Sequence, residues 1–188
     1  MKKKLLLIIT SGLITTACVE SSHSAGNNNN PEELKKHFPD ETKAKAKVLD
    51  DLFSLADAEK ILGEPGSLSD SSTKTEINVV RYLCGYKANA EDDKTKRTGT
   101  VYFFAEQYND TLAAKNKYSF IKKANEHNGI KVVEHLGDEA YFHSDGENFY
   151  FIMVRKGKKV FNMKVNKITS KTSLNDFNLV AKKITDEL

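Results

Sequence analysis

The sequence contains few of the residues and apolar runs that mark specialised classes of protein. Its 188 residues include two cysteines, three prolines and no tryptophan. The apolar run from Leu5 to Ile14 is shorter than the roughly 20 residues that cross a membrane as a helix. The chain has no nucleotide-binding glycine fingerprint, serine-nucleophile elbow, H-E-x-x-H zinc motif or calcium-loop spacing. These absences argue against a helical membrane protein and against the enzyme classes that such motifs define.

The chain also lacks a net charge once its first residues are set aside. The formal charge is +3, and Lys2, Lys3 and Lys4 supply all of it, because residues 1–17 contain no acidic side chain. Residues 18–188 are therefore formally neutral. Proteins that bind nucleic acid normally carry a clear basic excess, so we predict no nucleic-acid partner.

What the sequence does contain is a basic and apolar leader that ends at Cys18. Lys2–Lys4 precede the apolar run, and the small residues Thr15, Thr16 and Ala17 lead into the cysteine. A basic start, a short apolar centre and small residues before a cut site are typical of a secretory signal peptide. The pattern predicts an exported protein with a signal peptide over residues 1–17.

With its cysteine included, the leader resembles a bacterial lipoprotein signal. In that family the cysteine sulfur receives a diacylglyceryl group, the chain is cut just before it, and at least two acyl chains, such as palmitate, hold it firmly in the membrane. The resemblance implies lipidation of Cys18 and a membrane-anchored location in the cell envelope, facing the periplasm or the exterior. The family usually has leucine where this chain has Thr15. The alternative is a plain secretory signal, cut near Ala17, that leaves Cys18 free.

Residues 18–47 form a polar segment with few apolar side chains. Val19 to Asn30 is rich in serine, glycine and asparagine, which cannot bury enough apolar surface to offset the entropy lost on ordering. We interpret residues 18–47 as a lipidated N-terminus and flexible tether. A globular domain then follows at residues 48–188.

The pattern of residues 48–188 predicts an α+β fold in a single domain. Capping residues and apolar periodicity predict three helices, at 55–62, 110–127 and 173–188. Apolar alternation predicts up to six strands, at 77–86, 98–106, 130–134, 139–143, 149–154 and 161–166. Residues 66–75 are predicted to be a serine-rich loop. Short hairpin connections favour a mainly antiparallel sheet packed against the three helices.

The periodicity also predicts which side chains are buried. Helix 110–127 is expected to bury one apolar stripe, consisting of Leu112, Ala113, Phe120, Ile121 and Ala124. In strand 139–143, Ala140 and Phe142 are expected to face the core. The opposite face of that strand is predicted to be solvated, with Glu139, Tyr141 and His143 on it.

Several short segments of the domain resemble a second group of proteins. They are Leu55-Ala56-Asp57-Ala58 with Leu62-Gly63, Cys84-Gly85-Tyr86, Leu136-Gly137-Asp138-Glu139-Ala140-Tyr141 and Arg155-Lys156-Gly157. These segments resemble small exported bacterial lipoprotein domains of unknown function, some of which are similar in layout to the PsbP/Mog1-like fold. The resemblance implies an antiparallel sheet flanked by helices, and it carries over no catalytic residue and no cofactor.

One polar cluster is a candidate for chemistry: His135, Asp138, Glu139 and His143. Histidine and carboxylate groups are the usual metal ligands and acid–base catalysts. Four residues along a strand span about 13 Å, so Glu139 and His143 could share a metal only with help from His135 or a loop. The alternative interpretation, which we favour, is the solvated face of an edge strand.

Two further features have both a functional and a structural interpretation. Arg155, Lys156, Lys158 and Lys159 surround a hairpin turn and would suit anionic lipid head groups or an acidic envelope polymer. Lysines also protect sheet edges from unwanted pairing, and we favour that interpretation.

Cys84 lies in an apolar strand with no base beside it, which favours a buried thiol over a nucleophile.

Two functions from different classes are compatible with these patterns. The first is a non-enzymatic envelope lipoprotein that binds a partner protein or ligand through its sheet face, with toxin immunity as one such case. The alternative is a small metal-dependent or acid–base hydrolase that uses the His135/His143 region. The sequence favours the first, with the membrane and an unidentified envelope protein or ligand as partners. No catalytic residue, metal or cofactor is predicted.

Overall fold

The computed structural model describes residues 49–188, which form three α-helices and one seven-stranded antiparallel sheet. The helices are α1 (Leu55–Leu62), α2 (Thr111–Asn125) and α3 (Leu174–Glu187). The strands are β1 (Gly66–Glu76), β2 (Val79–Ala88), β3 (Thr100–Tyr108), β4 (Lys131–Val132), β5 (Glu139–Ser144), β6 (Phe149–Lys156) and β7 (Lys159–Asn166). The predicted α+β fold class is confirmed. The predicted leader, Cys18 and the tether lie outside the described residues.

The strand order is β1-β2-β3-β7-β6-β5-β4, and every neighbouring pair is antiparallel. Strands β1 to β3 form one meander and β4 to β7 form another, and the pairing of β3 with β7 joins the two. Helix α2 follows β3 in the chain and precedes β4, which lies at one edge of the sheet. The helix therefore carries the chain across one face of the sheet. None of the helices in residues 49–188 is long and apolar enough to cross a membrane.

The two faces of the sheet are covered unequally. Helices α1 and α3 pack on one face over a large apolar core, in which Phe103, Phe161 and Phe177 are fully buried. Helix α2 covers part of the other face over a smaller cluster. In that cluster Tyr118 of α2 packs against Tyr141 of β5, with ring centroids 5.9 Å apart. We call this second side the α2 face.

Local sequence signals fix the starts of the three helices and the end of α1, as predicted. At the start of α1 the Asp57 N–H donates to the Ser54 hydroxyl at 3.2 Å, and the Ser54 N–H donates to the Asp57 carboxylate at 3.0 Å. This reciprocal pair is a capping box. Gly63 ends α1 in the left-handed conformation, with φ at 72°. Asp110 and Ser173 cap α2 and α3.

The prediction of a loop at residues 66–75 is wrong. This segment is β1, which pairs with β2 along its length and is exposed at every position after Gly66. Both faces of this edge strand are exposed to solvent, so its sequence shows no apolar alternation and resembles that of a loop. Its backbone hydrogen bonds to β2 decide its conformation. The start of β2 also differs from the prediction, because Ile77 lies in the turn between β1 and β2 and is 94% exposed.

The predicted buried stripe of α2 is wrong in part. Leu112 and Phe120 are 66% and 74% exposed, whereas Ala114 and Tyr118 are buried. Ala114 and Tyr118 lie four residues apart, so they form a stripe as regular as the predicted one. The sheet selects this stripe because Tyr118 packs against Tyr141, a contact that the helix sequence does not encode.

Candidate functional site

A cavity of about 420 Å³ lies on the α2 face, between the end of α2 and strands β5, β6 and β7. Cavities that bind small molecules usually have volumes of about 300–1,000 Å³. The walls of this α2-face cavity are formed by Ile121, Asn125, Asn128, Ile130, Tyr141, His143, Phe149, Phe151, Asn162 and Lys164. The cavity therefore has both the size and the mixture of aromatic and polar side chains of a ligand site.

Strand register brings these side chains together on one face. Phe151 of β6 lies opposite His143 of β5 and opposite Lys164 of β7. Residues directly opposite one another in antiparallel strands point to the same face. The three side chains therefore form a row across three strands. The neighbouring row on the same face of the sheet consists of Tyr141, Met153 and Asn162.

The floor of the cavity is aromatic. The rings of Tyr141 and Phe151 have centroids 5.8 Å apart, and those of His143 and Phe149 are 4.9 Å apart. The Lys164 Nζ atom lies 5.7 Å from the centroid of the Phe149 ring, within the range of a cation–π contact. A flat apolar group would find stacking surface here, with an ammonium group nearby.

Two residues that line this cavity each have a buried polar atom without a hydrogen-bond partner among the described residues. These atoms are the Tyr141 hydroxyl and the His143 Nδ1 atom. Tyr141 is fully buried, and burial raises its pKa to about 12, so the hydroxyl stays protonated at neutral pH. A buried polar group without a partner costs about 1–3 kcal/mol. A ligand that bonded to these atoms would recover that free energy.

The described residues that line the cavity include a lysine but no acidic side chain. Lys164 forms no ion pair with any carboxylate of residues 49–188. Lys164 is therefore the one lysine, and the source of fixed positive charge, among the described residues that line the cavity.

The structure brings three members of the predicted polar cluster together and separates the fourth: His135, Asp138 and Glu139 line one cavity, and His143 is not part of it. Asp138 and Glu139 accept hydrogen bonds from the Arg155 guanidinium at 2.7 and 2.6 Å. His135 has a left-handed backbone, with φ at 60°, and lines cavities that do not include His143. Within the described part of the chain, no three His, Cys, Asp or Glu side chains are placed to hold a metal ion.

The four basic residues of the β6–β7 hairpin do not form one open surface. Arg155 is 7% exposed and is paired with acidic side chains. Lys156 and Lys159 donate to main-chain oxygens at the end of α3, at 2.8 and 3.4 Å. Burial, with the nearby charge of Lys156, lowers the pKa of Lys159. Lysines placed in this way complement the negative end of a helix, so three of the four residues have a structural role.

Cys84 lies in the large core on the opposite face from the α2-face cavity. Its side chain is fully buried, and burial raises the pKa of the thiol to about 11. A nucleophilic cysteine requires a thiolate that is stabilised near neutral pH. The geometry therefore agrees with the interpretation of Cys84 as a small buried side chain.

Sequence reasoning missed most of the α2-face cavity. The assignment of Tyr141 to a solvated face is wrong, because α2 covers that face and Tyr141 is fully buried. The continuous apolar run from Phe149 to Val154 correctly indicates a strand covered on both faces. It does not indicate that Phe151 lies between His143 and Lys164, since that depends on the register of three strands.

Comparison with protein-family models finds none that matches the chain, and comparison with curated proteins finds no match.

Proposed function

We propose that this chain is an exported lipoprotein, anchored through lipid on Cys18, whose globular domain binds a small amphipathic ligand in the α2-face cavity without catalysing a reaction. The leader pattern supports the anchor. The observation that carries the binding function is the pair of unpartnered buried polar atoms, on Tyr141 and His143, in a cavity with an aromatic floor. Such a domain would hold its ligand in the cell envelope, close to the membrane.

The side chains around the cavity favour binding over chemistry. Asp138 and Glu139 are occupied by Arg155, and the Cys84 thiol is buried on the other face. The neutral Tyr141 hydroxyl and the Lys164 ammonium group are suited to orienting a ligand through hydrogen bonds. The alternative, a hydrolase that uses the His135/His143 region, is less well supported, because His135 and His143 line different cavities.

Replacing Cys18 by serine tests the anchor. In a bacterial host fed an alkyne-tagged fatty acid, the wild-type chain should be labelled and sediment with membranes. Cys18→Ser should lose the label and leave the membrane fraction, because serine lacks the sulfur that accepts the diacylglyceryl group. Cys84→Ser is the matched control, since Cys84 is the other cysteine of the chain, and it should keep the label. Labelling of Cys18→Ser, or an unlabelled wild-type chain, would contradict the anchor.

Blocking the cavity from α2 tests the binding function. In proton–nitrogen correlation spectra of the purified full chain, millimolar naphthylacetamide should shift the backbone resonances of β5 and β6. Ile121→Trp should abolish these shifts, because a larger side chain at this position fills the cavity. Leu112→Trp places the same residue on the exposed side of α2 and should leave the shifts intact.

The same spectra report whether each variant is folded, so a loss of shifts can be separated from a loss of structure. If neither naphthylacetamide nor its anionic counterpart naphthylacetate changes the wild-type spectrum, the cavity does not accept small amphipathic molecules and the binding function is wrong. If Ile121→Trp binds as well as the wild type, binding occurs elsewhere on the protein.

A further inference from the structure

We infer that the α2-face cavity selects a small organic anion, such as a carboxylate on an aromatic body, with Lys164 as the residue that sets the charge preference. This inference rests on the proposed binding function and adds the chemical class of the ligand. It depends on one juxtaposition: an ammonium group, an unpartnered hydroxyl and an unpartnered imidazole nitrogen lie around one aromatic floor.

Charge favours an anion over a cation or a neutral molecule. Lys164 is at the cavity, and the described lining residues include no carboxylate that would compensate it. A cationic ligand would meet a like charge, which is unfavourable in a partly buried site. A neutral ligand would leave the ammonium group without a counter-charge. A carboxylate would form a charge-assisted hydrogen bond with Lys164, which is about twice as strong as a bond between neutral groups.

The unpartnered atoms are suited to the same ligand. The Tyr141 hydroxyl is an O–H donor, and the imidazole of His143 donates from Nδ1 in one of its neutral tautomers and in its charged form. A carboxylate has two oxygens that each accept more than one hydrogen bond. A carboxylate that pairs with Lys164 therefore keeps acceptor sites for a further donor of the cavity. A single neutral carbonyl offers fewer acceptor sites.

The aromatic floor defines the rest of the ligand. Phe149 and Phe151 are adjacent on the α2 face of β6, two residues apart, and Tyr141 packs beside Phe151. Aromatic side chains prefer offset or tilted contacts with other rings. A flat body of one or two rings would therefore bind more favourably than a branched aliphatic chain. The volume of about 420 Å³ accommodates a ligand of this size.

The test compares two probes that differ in charge. Naphthylacetate and naphthylacetamide share one aromatic body, and only the first is an anion. Calorimetric titration of the purified full chain should give a dissociation constant about tenfold lower for naphthylacetate, the effect expected of one charge-assisted bond. Lys164→Gln should remove that tenfold preference, so that the two probes bind with the same affinity. Lys115→Gln removes an exposed lysine of α2 outside the cavity and should preserve the preference.

Tyr141→Phe provides a second variant that keeps the ring and removes the hydroxyl. It should weaken naphthylacetate binding several-fold. The inference is overturned if the wild type binds both probes equally, or if Lys164→Gln retains the preference; the cavity would then still be a binding site. If neither probe binds the wild type, the proposed binding function itself is wrong, so the two failures are distinguishable.

Discussion

Gly63→Ala is expected to destabilise the domain by about 3 kcal/mol. Gly63 ends α1 with φ at 72°, and a side chain in this left-handed conformation costs about 1–2 kcal/mol. An alanine Cβ at this position would also collide with the main-chain oxygen of Lys171. Overpacking of this kind costs a further 1–3 kcal/mol or so.

The loop that contains Lys171 has little freedom to move away. The Ser173 N–H donates to the Ile61 carbonyl at 2.9 Å, and the Lys171 Nζ atom lies 2.8 Å from the Glu64 carboxylate. These bonds hold the loop against the end of α1. The collision must therefore be relieved by distorting either the helix end or the loop.

Gly129→Ala is the matched control for this substitution. Gly129 has nearly the same backbone conformation, with φ at 71°, but an added Cβ there would have no heavy atom within 4 Å. Gly129→Ala should lower the free energy of unfolding by only about 1–2 kcal/mol, the cost of a side chain in the left-handed backbone conformation. Urea unfolding of the wild type and both variants would measure the difference from the midpoints and slopes. Equal destabilisation of the two variants would show that the collision with Lys171 has no effect.

Arg155→Met is expected to destabilise the domain by about 3 kcal/mol. The guanidinium donates to Glu139 at 2.6 Å and to Asp138 at 2.7 Å, and its side chain is 9% exposed. Removing one partner of a buried ionic network typically costs about 3–5 kcal/mol, because the remaining charges are left uncompensated. Asp138 and Glu139 are 45% and 34% exposed, so solvent screens part of this cost and we expect the lower end of the range.

Lys158→Met is the matched control, because it makes the same kind of change in the same hairpin at an exposed position. Its effect on the free energy of unfolding should be within about 0.5 kcal/mol. Adding Glu139→Gln to Arg155→Met should recover part of the lost stability, since it removes one uncompensated charge. If Arg155→Met unfolds at the same urea concentration as the wild type, the ion pairs of Arg155 do not stabilise the domain.

The elements predicted correctly are those with a local signal. Ser54 and Gly63 define the two ends of α1, and the apolar run from Phe149 to Val154 identifies β6. Prediction failed where a neighbour in space decides the conformation. β1 is a strand because β2 pairs with it, and α2 turns Tyr118 rather than Phe120 to the sheet because Tyr141 lies there.

The candidate site shows the same division. The sequence pointed to His135 and His143 together, because both are near the same strand. The structure separates them and places His143 with Phe149 and Lys164 instead. The distance between residues in the chain does not indicate their distance across a sheet, since the register of paired strands determines which side chains meet.

The sequence by itself determined the α+β class, the helix caps and the hairpin turns, because these depend on residues within a few positions of one another. The leader and Cys18 are likewise read from local sequence, and their role stays a prediction. The tertiary structure decided which helix stripe is buried, that residues 66–76 form an edge strand, and that the α2-face cavity exists. Those features depend on how separate strands and helices pack, which the periodicity of any one segment does not specify.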